Sequence, residues 1–216
     1  MISGIDFVFS YADNTNAGEA TVTITGNGNY TGTVSRTFTI KPKNISDADI
    51  ALNQDSLVYT GQMQEVQITS VTLGVVTLTA ADYDIKSDSN KHIGVNDKIT
   101  LTIEGKGNYT GTAITIWKIT KADPALENFE VTPDLATAQT YDGVPKMVTA
   151  KVKSGVLGMG TVTVYYEGIS GTDYARSTAA PVNAGKYEVI AVVADDGTNY
   201  NAKEIEIGML TINKAT

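Results

Sequence analysis

The sequence predicts an all-β protein built from antiparallel β-sandwich repeats. Three observations lead there. Apolar and polar residues alternate with a period of two, as in Ala20-Thr21-Val22-Thr23-Ile24 and Ile99-Thr100-Leu101-Thr102-Ile103, so one face of each run turns inward and the other outward. The runs are short and end in Gly, Asn, Asp or Pro, which supply turns. One segment also recurs: Gly26-Asn27-Gly28-Asn29-Tyr30-Thr31-Gly32 returns as Gly105-Lys106-Gly107-Asn108-Tyr109-Thr110-Gly111, displaced by 109 − 30 = 79 residues.

The repeat extends on both sides of that segment. Ala20 to Ile24 aligns with Ile99 to Ile103, and Thr33 to Ile40 aligns with Thr112 to Ile119. A divergent third copy reads Gly197-Thr198-Asn199-Tyr200-Asn201 and closes on Leu210-Thr211-Ile212-Asn213-Lys214-Ala215. A second marker, Val58-Tyr59-Thr60-Gly61, resembles Thr140-Tyr141-Asp142-Gly143, and Asn16-Ala17-Gly18 resembles Asn183-Ala184-Gly185. The Tyr-Thr-Gly marker has no counterpart before residue 41. Residues 1–41 therefore read as the C-terminal half of a truncated repeat, 42–121 as a complete repeat and 122–216 as another. Lys41-Pro42-Lys43-Asn44 and Lys121-Ala122-Asp123-Pro124 are the junctions. Each is short and carries a Pro that fixes φ, which predicts stiff coupling between repeats stacked end to end.

Further strands are expected at Thr161-Val162-Thr163-Val164-Tyr165 and Tyr187-Glu188-Val189-Ile190-Ala191-Val192, which are β-branched and aromatic. No long segment shows helical periodicity with caps. Thr79-Ala80-Ala81-Asp82-Tyr83 is the best candidate for one helical turn, so β-grasp-like units with one short helix are the alternative fold. The Gly-x-Gly-Asn-Tyr-Thr-Gly segment joins two strands. Its Tyr is expected to lay its ring over the end of the core with its hydroxyl on a backbone group. Trp117 aligns with Phe38 and Leu210, so an apolar residue stands there in all three copies, as at a core position.

Composition narrows the function. With 24 acidic and 16 basic side chains the net charge is −8, and no Lys/Arg cluster marks a nucleic-acid surface. The absence of Cys excludes disulfides, thiol nucleophiles and thiolate zinc sites. A single His excludes multi-His metal sites, and His92 in its Ser/Asn/Lys-rich turn reads as a solvated loop residue. No apolar stretch is long enough to insert in a membrane as a helix.

The pairs Asp47/Asp49, Asp82/Asp84 and Asp195/Asp196 lack calcium-loop spacing, and the last fits a plain hairpin turn. Calcium at a junction stays open. Paired carboxylates for glycoside hydrolysis need a walled cleft, which a thin filled sandwich does not offer. No catalytic, cofactor-binding or metal-binding residue, and no enzyme activity, is therefore expected. A Lys–Asn crosslink across the sandwich has no Lys to use between Asn44 and Ile85, whereas Lys146, Lys151 and Lys153 leave it open in the last repeat.

The run from Asp6-Phe7-Val8-Phe9-Ser10-Tyr11 through Asn16-Ala17-Gly18 to Asn29-Tyr30-Thr31-Gly32 resembles the MBG-type repeats of bacterial cell-surface, adhesin-like proteins. The last repeat resembles their YDG variant through Tyr141-Asp142-Gly143, Ala180-Pro181-Val182-Asn183-Ala184-Gly185-Lys186-Tyr187 and Asn199-Tyr200. In the middle repeat His92-Ile93-Gly94-Val95-Asn96-Asp97 replaces the Asn-Ala-Gly step and is about three residues longer, which predicts a lengthened turn.

The resemblance implies Ig-like sandwiches, an extracellular or cell-wall-attached location, and a non-catalytic stalk or spacer role with an adhesive option. The chain then reads as a fragment of something longer, without its own signal or anchor. Two alternatives stand beside this. One is a glycan- or mucin-binding module, for which Tyr83, Tyr165, Tyr166 and Tyr174 would have to line one exposed face. The other is an accessory module of a secreted carbohydrate-active enzyme. Expected partners are neighbouring repeats of the parent protein and a host glycan or matrix protein. Residues 1–41 expose strand edges and half a core, which predicts a swapped dimer through them or packing on the complete repeat.

Overall fold

In the computed structural model, which describes residues 1–216, all regular structure is β-strand apart from one 3-10 turn at Leu126–Asn128. Two compact units are present. The first comprises Met1–Asp55, Glu65–His92 and Lys98–Trp117, and the second Ser56–Gln64, Ile93–Asp97 and Lys118–Thr216.

In the first unit, Phe7–Ala12, Gly18–Gly26 and Thr33–Ile40 form an antiparallel three-stranded sheet in that order. Side chains paired across a sheet share a face. The register Phe9↔Ile24↔Val34, Tyr11↔Val22↔Arg36 and Ala20↔Phe38 therefore collects most of the large apolar residues on one side, with Arg36 among them. Thr21, Thr23, Ser35 and Thr37 fall on the other, where the Thr23 and Ser35 hydroxyls share a 2.9 Å hydrogen bond. The alternation legible in the sequence thus makes a two-faced sheet, yet Tyr11, Val34 and Phe38 on its apolar side remain exposed.

The middle repeat reproduces this arrangement with its apolar face covered. Tyr83–Ile85, Asn96–Gly105 and Thr112–Thr120 are successive neighbours in one sheet. Ile99, Leu101 and Ile103 are buried at every second position, together with Ala113, Trp117 and Ile119. A second sheet of Asp49–Leu52, Ile68–Leu73 and Val76–Leu78 buries Val71, Leu73 and Leu78. The lengthened turn is present. Phe7 pairs with Gly26 and Tyr83 with Gly105, so the copies are offset by 76 residues before the turn and 79 after it. His92 is half-buried in the short strand Lys91–His92 rather than in an exposed turn.

Thr79–Tyr83 is not a helical turn. The Asp82 carboxylate accepts hydrogen bonds from the Thr79 backbone N–H and hydroxyl, both at 2.8 Å, and Asp82 N–H donates to the Thr79 carbonyl at 2.9 Å. Asp and Thr side chains compete here with the helical backbone bond, and the segment closes as a capped turn that leads straight into Tyr83–Ile85. The same bonds hold the exposed Asp82 carboxyl below its ordinary range.

The second unit contains the last repeat. Its larger sheet runs Gln139–Thr140, Lys203–Asn213, Gly185–Val193, Val162–Ile169, and its smaller one pairs Phe129–Thr132 with Thr149–Val152. Phe129, Val148, Val131, Ala150 and Val152 from the first half of the repeat pack on Tyr166, Tyr187, Val189, Ala191, Ile207 and Leu210 from the second half, giving the two-layer sandwich. Tyr166 ties the layers together: its hydroxyl accepts from Val148 N–H at 2.7 Å and donates to the Val148 carbonyl at 3.3 Å. Desolvation in this core pushes the Tyr166 hydroxyl above its ordinary pKa.

One feature of pairing goes beyond a purely antiparallel sandwich. In each complete repeat a strand from near the start runs parallel to the last strand. Ser56, Leu57 and Val58 pair with Lys118, Ile119 and Thr120, and Gln139 and Thr140 pair with Ile212 and Asn213.

Candidate functional site at the junctions between repeats

The recurring Gly-x-Gly-Asn-Tyr-Thr-Gly segment proves to be a joint. Its first Gly closes a turn onto its last: Gly26 N–H donates to Gly32 O, and Gly105 N–H donates to Gly111 O, both at 2.9 Å. In the first unit the Asn108 carbonyl accepts Lys43 N–H at 2.8 Å, and Ile45 N–H donates to the Thr110 carbonyl at 2.9 Å. The linker after Pro42 is therefore not a tether. It is a short strand, Lys43–Asn44, paired parallel to Tyr109–Thr110.

The second unit repeats the construction with different residues. Ala122 N–H donates to the Asn199 carbonyl at 3.0 Å, and Asn201 N–H donates to the Ala122 carbonyl at 2.9 Å. Ala122 thereby forms a parallel bridge with Tyr200 just ahead of Pro124.

The Asn side chain does the complementary work. Asn108 Oδ1 accepts Ala17 N–H at 2.7 Å, and Asn108 Nδ2 donates to Asn16 Oδ1 at 2.9 Å. Asn199 Oδ1 accepts Val95 N–H at 3.4 Å. Asn16 and Val95 are aligned positions of the repeat, and Ala17 follows Asn16; all three lie just before the long second strand. In both junctions one Asn thus holds the linker with its carbonyl and the preceding repeat's loop with its side chain.

The second joint is reinforced further. Tyr59 of one marker meets Tyr200 of the other, edge to face, with ring centroids 5.7 Å apart and both rings buried. Burial pushes the Tyr200 hydroxyl above its ordinary pKa, and the neighbouring Tyr59 adds to the effect. Lys121 pairs with Asp195 at 3.0 Å. Asp123 accepts from Asn201 Nδ2 at 2.8 Å and pairs with Lys203 at 3.1 Å. These pairs are solvent-facing and each contributes little to stability.

The Asn201 hydrogen bond, and then Lys203, hold the Asp123 carboxyl below the ordinary carboxylate range. A carboxyl lowered in the folded state adds stability above its unfolded pKa of about 4, and loses it as pH falls through the lowered folded value. An NMR titration of the Asp123 carboxyl carbon is expected to give a midpoint below that of an unpaired Asp. Asn201→Ala should move it back up.

Gly111 shows why the segment ends in Gly. Its φ is +79°, and a Cβ there would lie 2.5 Å from Asn44 Oδ1 in the linker. At the aligned Gly32 φ is +97° and nothing lies within 4 Å. Gly32→Ala is therefore expected to cost only the left-handed backbone penalty of about 1–2 kcal/mol. Gly111→Ala should cost measurably more in urea unfolding, because the linker must also move.

The motif tyrosines do not share one environment: Tyr30 is exposed, Tyr109 half-buried and Tyr200 buried. Backbone anchoring by a Tyr hydroxyl falls instead on Tyr166, on Tyr174, which donates to Ala179 O at 2.6 Å, and on Tyr187, which donates to Asn183 O at 2.7 Å. Of the rings a glycan face would need, Tyr166 is buried, Tyr174 packs edge-on against Tyr187, and the Arg176 guanidinium lies 4.8 Å over Tyr165. Tyr166, being buried, is not part of an exposed row.

The acidic pairs are divided among separate partners: Asp82 caps its own turn, Asp84 binds Lys106, Asp195 binds Lys121 and Asp196 binds Thr161. Lys146 pairs with Asp142 at 2.6 Å, and Lys151 and Lys153 are exposed. Trp117 is buried, with its Nε1–H donating to Ser89 O at 3.3 Å.

Residues 134–216 match the sequence family described as MBG domain, so the resemblance read from the sequence is met over most of the last repeat. No curated protein matches the chain. Among solved structures the chain is similar to protocadherin gamma B2 extracellular cadherin domains 1–5, at 14% identity and a TM-score of 0.27, with 93% of this chain and 46% of that one covered. It is also similar to domains 3–6 of the same protein, at 11% identity and a TM-score of 0.28, with 97% and 67% covered. The chain thus spans about half the length of the first of these.

Proposed function

We propose that this chain is a non-catalytic stalk or spacer segment of a bacterial surface or secreted protein, acting outside the cell. The observation that carries the proposal is the double use of one joint. Asn108 and Asn199, 91 residues apart by number (199 − 108), each bind a linker N–H through the carbonyl and a loop N–H of the preceding repeat through the side chain. A joint built twice from the same atoms serves to set orientation between repeats.

The strand order supports a mechanical role. The early strand Ser56–Val58 and the late strand Thr112–Thr120 are parallel neighbours, as are Gln139–Thr140 and Lys203–Asn213. Tension on the two ends of such a repeat pulls these neighbours in opposite directions along their length, so their hydrogen bonds resist together rather than opening one at a time. The MBG match over 134–216 and the net charge of −8, which keeps copies apart, agree with this reading.

Single-molecule pulling on the full chain by its termini tests it. The expected trace shows discrete, separate unfolding events at forces that drop sharply in a Leu57→Pro variant, which removes a backbone donor from the parallel pair. Smooth extension without resolved events would contradict the role.

A further inference from the structure

The apolar face of residues 1–41 carries the residues of a core, and Ala20 on it is buried, yet Phe9, Tyr11, Val34 and Phe38 stay exposed. Strand register gives its counterparts in the last repeat. Phe38 pairs with Ala20 as Leu210 pairs with Tyr187, and Tyr11 pairs with Val22 as Tyr166 pairs with Val189. Tyr166 is 2% and Leu210 1% exposed, beneath Phe129, Val148 and Val152 of that repeat's first half. Tyr11 is 56% and Phe38 41% exposed. In the middle repeat Trp117, aligned with Phe38, is 1% exposed. Phe7, Phe9 and Tyr11 form an aromatic ladder along this face, and a groove of about 590 Å³ runs between Phe9, Ile24, Tyr30 and Val34.

The edge beside the face is also open. Ile40 aligns with Ile119 and Ile212, and each of those pairs in parallel with an early strand, through Leu57 and Gln139 respectively. Thr33–Ile40 is an edge strand with no such neighbour.

We propose that this face and edge are the acceptor for the first half of a further repeat: a polypeptide segment with the strand pattern of residues 42–80, other than those residues themselves. Its early strand lies parallel to Thr39–Lys41, and its apolar strands cover Tyr11, Val34 and Phe38. Both features point to that occupant over a second copy of this chain. Two 1–41 sheets placed face to face would cover the aromatics but leave the Ile40 edge unpaired. Residues 42–80 taken from a second copy would uncover that copy's own Ile99, Leu101 and Trp117.

The test appends a second copy of residues 42–80 to the N-terminus of the full chain carrying Phe38→Trp. Against the unextended Phe38→Trp chain, the extended one is expected to show a blue shift of the new tryptophan's emission. Amide exchange across residues 33–41 is expected to slow by about tenfold or more. Exchange at Tyr187 and Val189 reports that the last repeat is folded in both chains. Unchanged emission and exchange in the extended chain would overturn the proposal. So would an unextended chain that sediments as a dimer with its Phe38→Trp emission already blue-shifted, which would make a second copy the occupant.

Discussion

Trp117→Ala is expected to destabilise the first unit by about 3–5 kcal/mol, while Phe38→Ala, at the aligned position, changes stability by less than about 1 kcal/mol. The two residues hold the same place in the repeat and differ in what covers them. Trp117 is buried, as are Leu101, Ile103 and Ala113 of its own repeat, and its ring N–H is spent on Ser89 O. Deleting it removes a large apolar transfer contribution and leaves a cavity that rigid strands cannot close. Phe38 is already largely in water, so truncation removes little buried area. Urea unfolding followed by amide exchange at Leu101 and Ile103 measures both changes. Equal losses at the two positions would mean that the apolar face of residues 1–41 is covered, contrary to the structure.

Tyr200→Ala is expected to cost about 3 kcal/mol, and the double-mutant cycle with Tyr59→Ala to show coupling of about 0.5–1.5 kcal/mol. Both rings are buried and meet edge to face at 5.7 Å, so each removal leaves the other beside a void. The signature of a joint is where the loss appears. Exchange should rise at Ala122 and Asn201, whose N–H groups make the linker bridge beside Tyr200, before it rises at Val189 in the centre of the last sandwich. Additive single effects with no coupling would show that the rings are neighbours without interacting.

The fold class was legible because strand periodicity is a local signal. Ile99, Leu101 and Ile103 alternate with Thr, and all three are buried. The core role of Trp117 was legible because three copies could be compared in one chain. The parallel strands were not. Ser56-Leu57-Val58 carries no mark of which strand it will join, since its partner Ile119 lies 119 − 57 = 62 residues on and local pattern does not set so long a connection.

The helical turn at Thr79–Tyr83 failed because the Ala pair suggested helix while Thr79 and Asp82 at its ends favoured a side-chain cap. At the joint the Asn ahead of the motif Tyr stands in each copy, as Asn29, Asn108 and Asn199, but the aromatic beside it is the more conspicuous residue. The useful signal was that an Asn with no φ > 0 demand recurred where a turn already had its glycines. Such a residue is retained for its side-chain bonds, here to Ala17 and Val95.

Amide exchange at four backbone groups of the intact chain tests the joint most directly: Ala17, Lys43, Val95 and Ala122. All four are expected to be protected in the natural sequence. In an Asn108→Ala/Asn199→Ala variant, Ala17 and Val95 should lose protection, whereas Lys43 and Ala122 keep theirs because the carbonyls they bind remain. Free-peptide exchange at all four in the natural sequence would mean that the repeats are loosely tethered, and would contradict the stiff joint on which the spacer role rests.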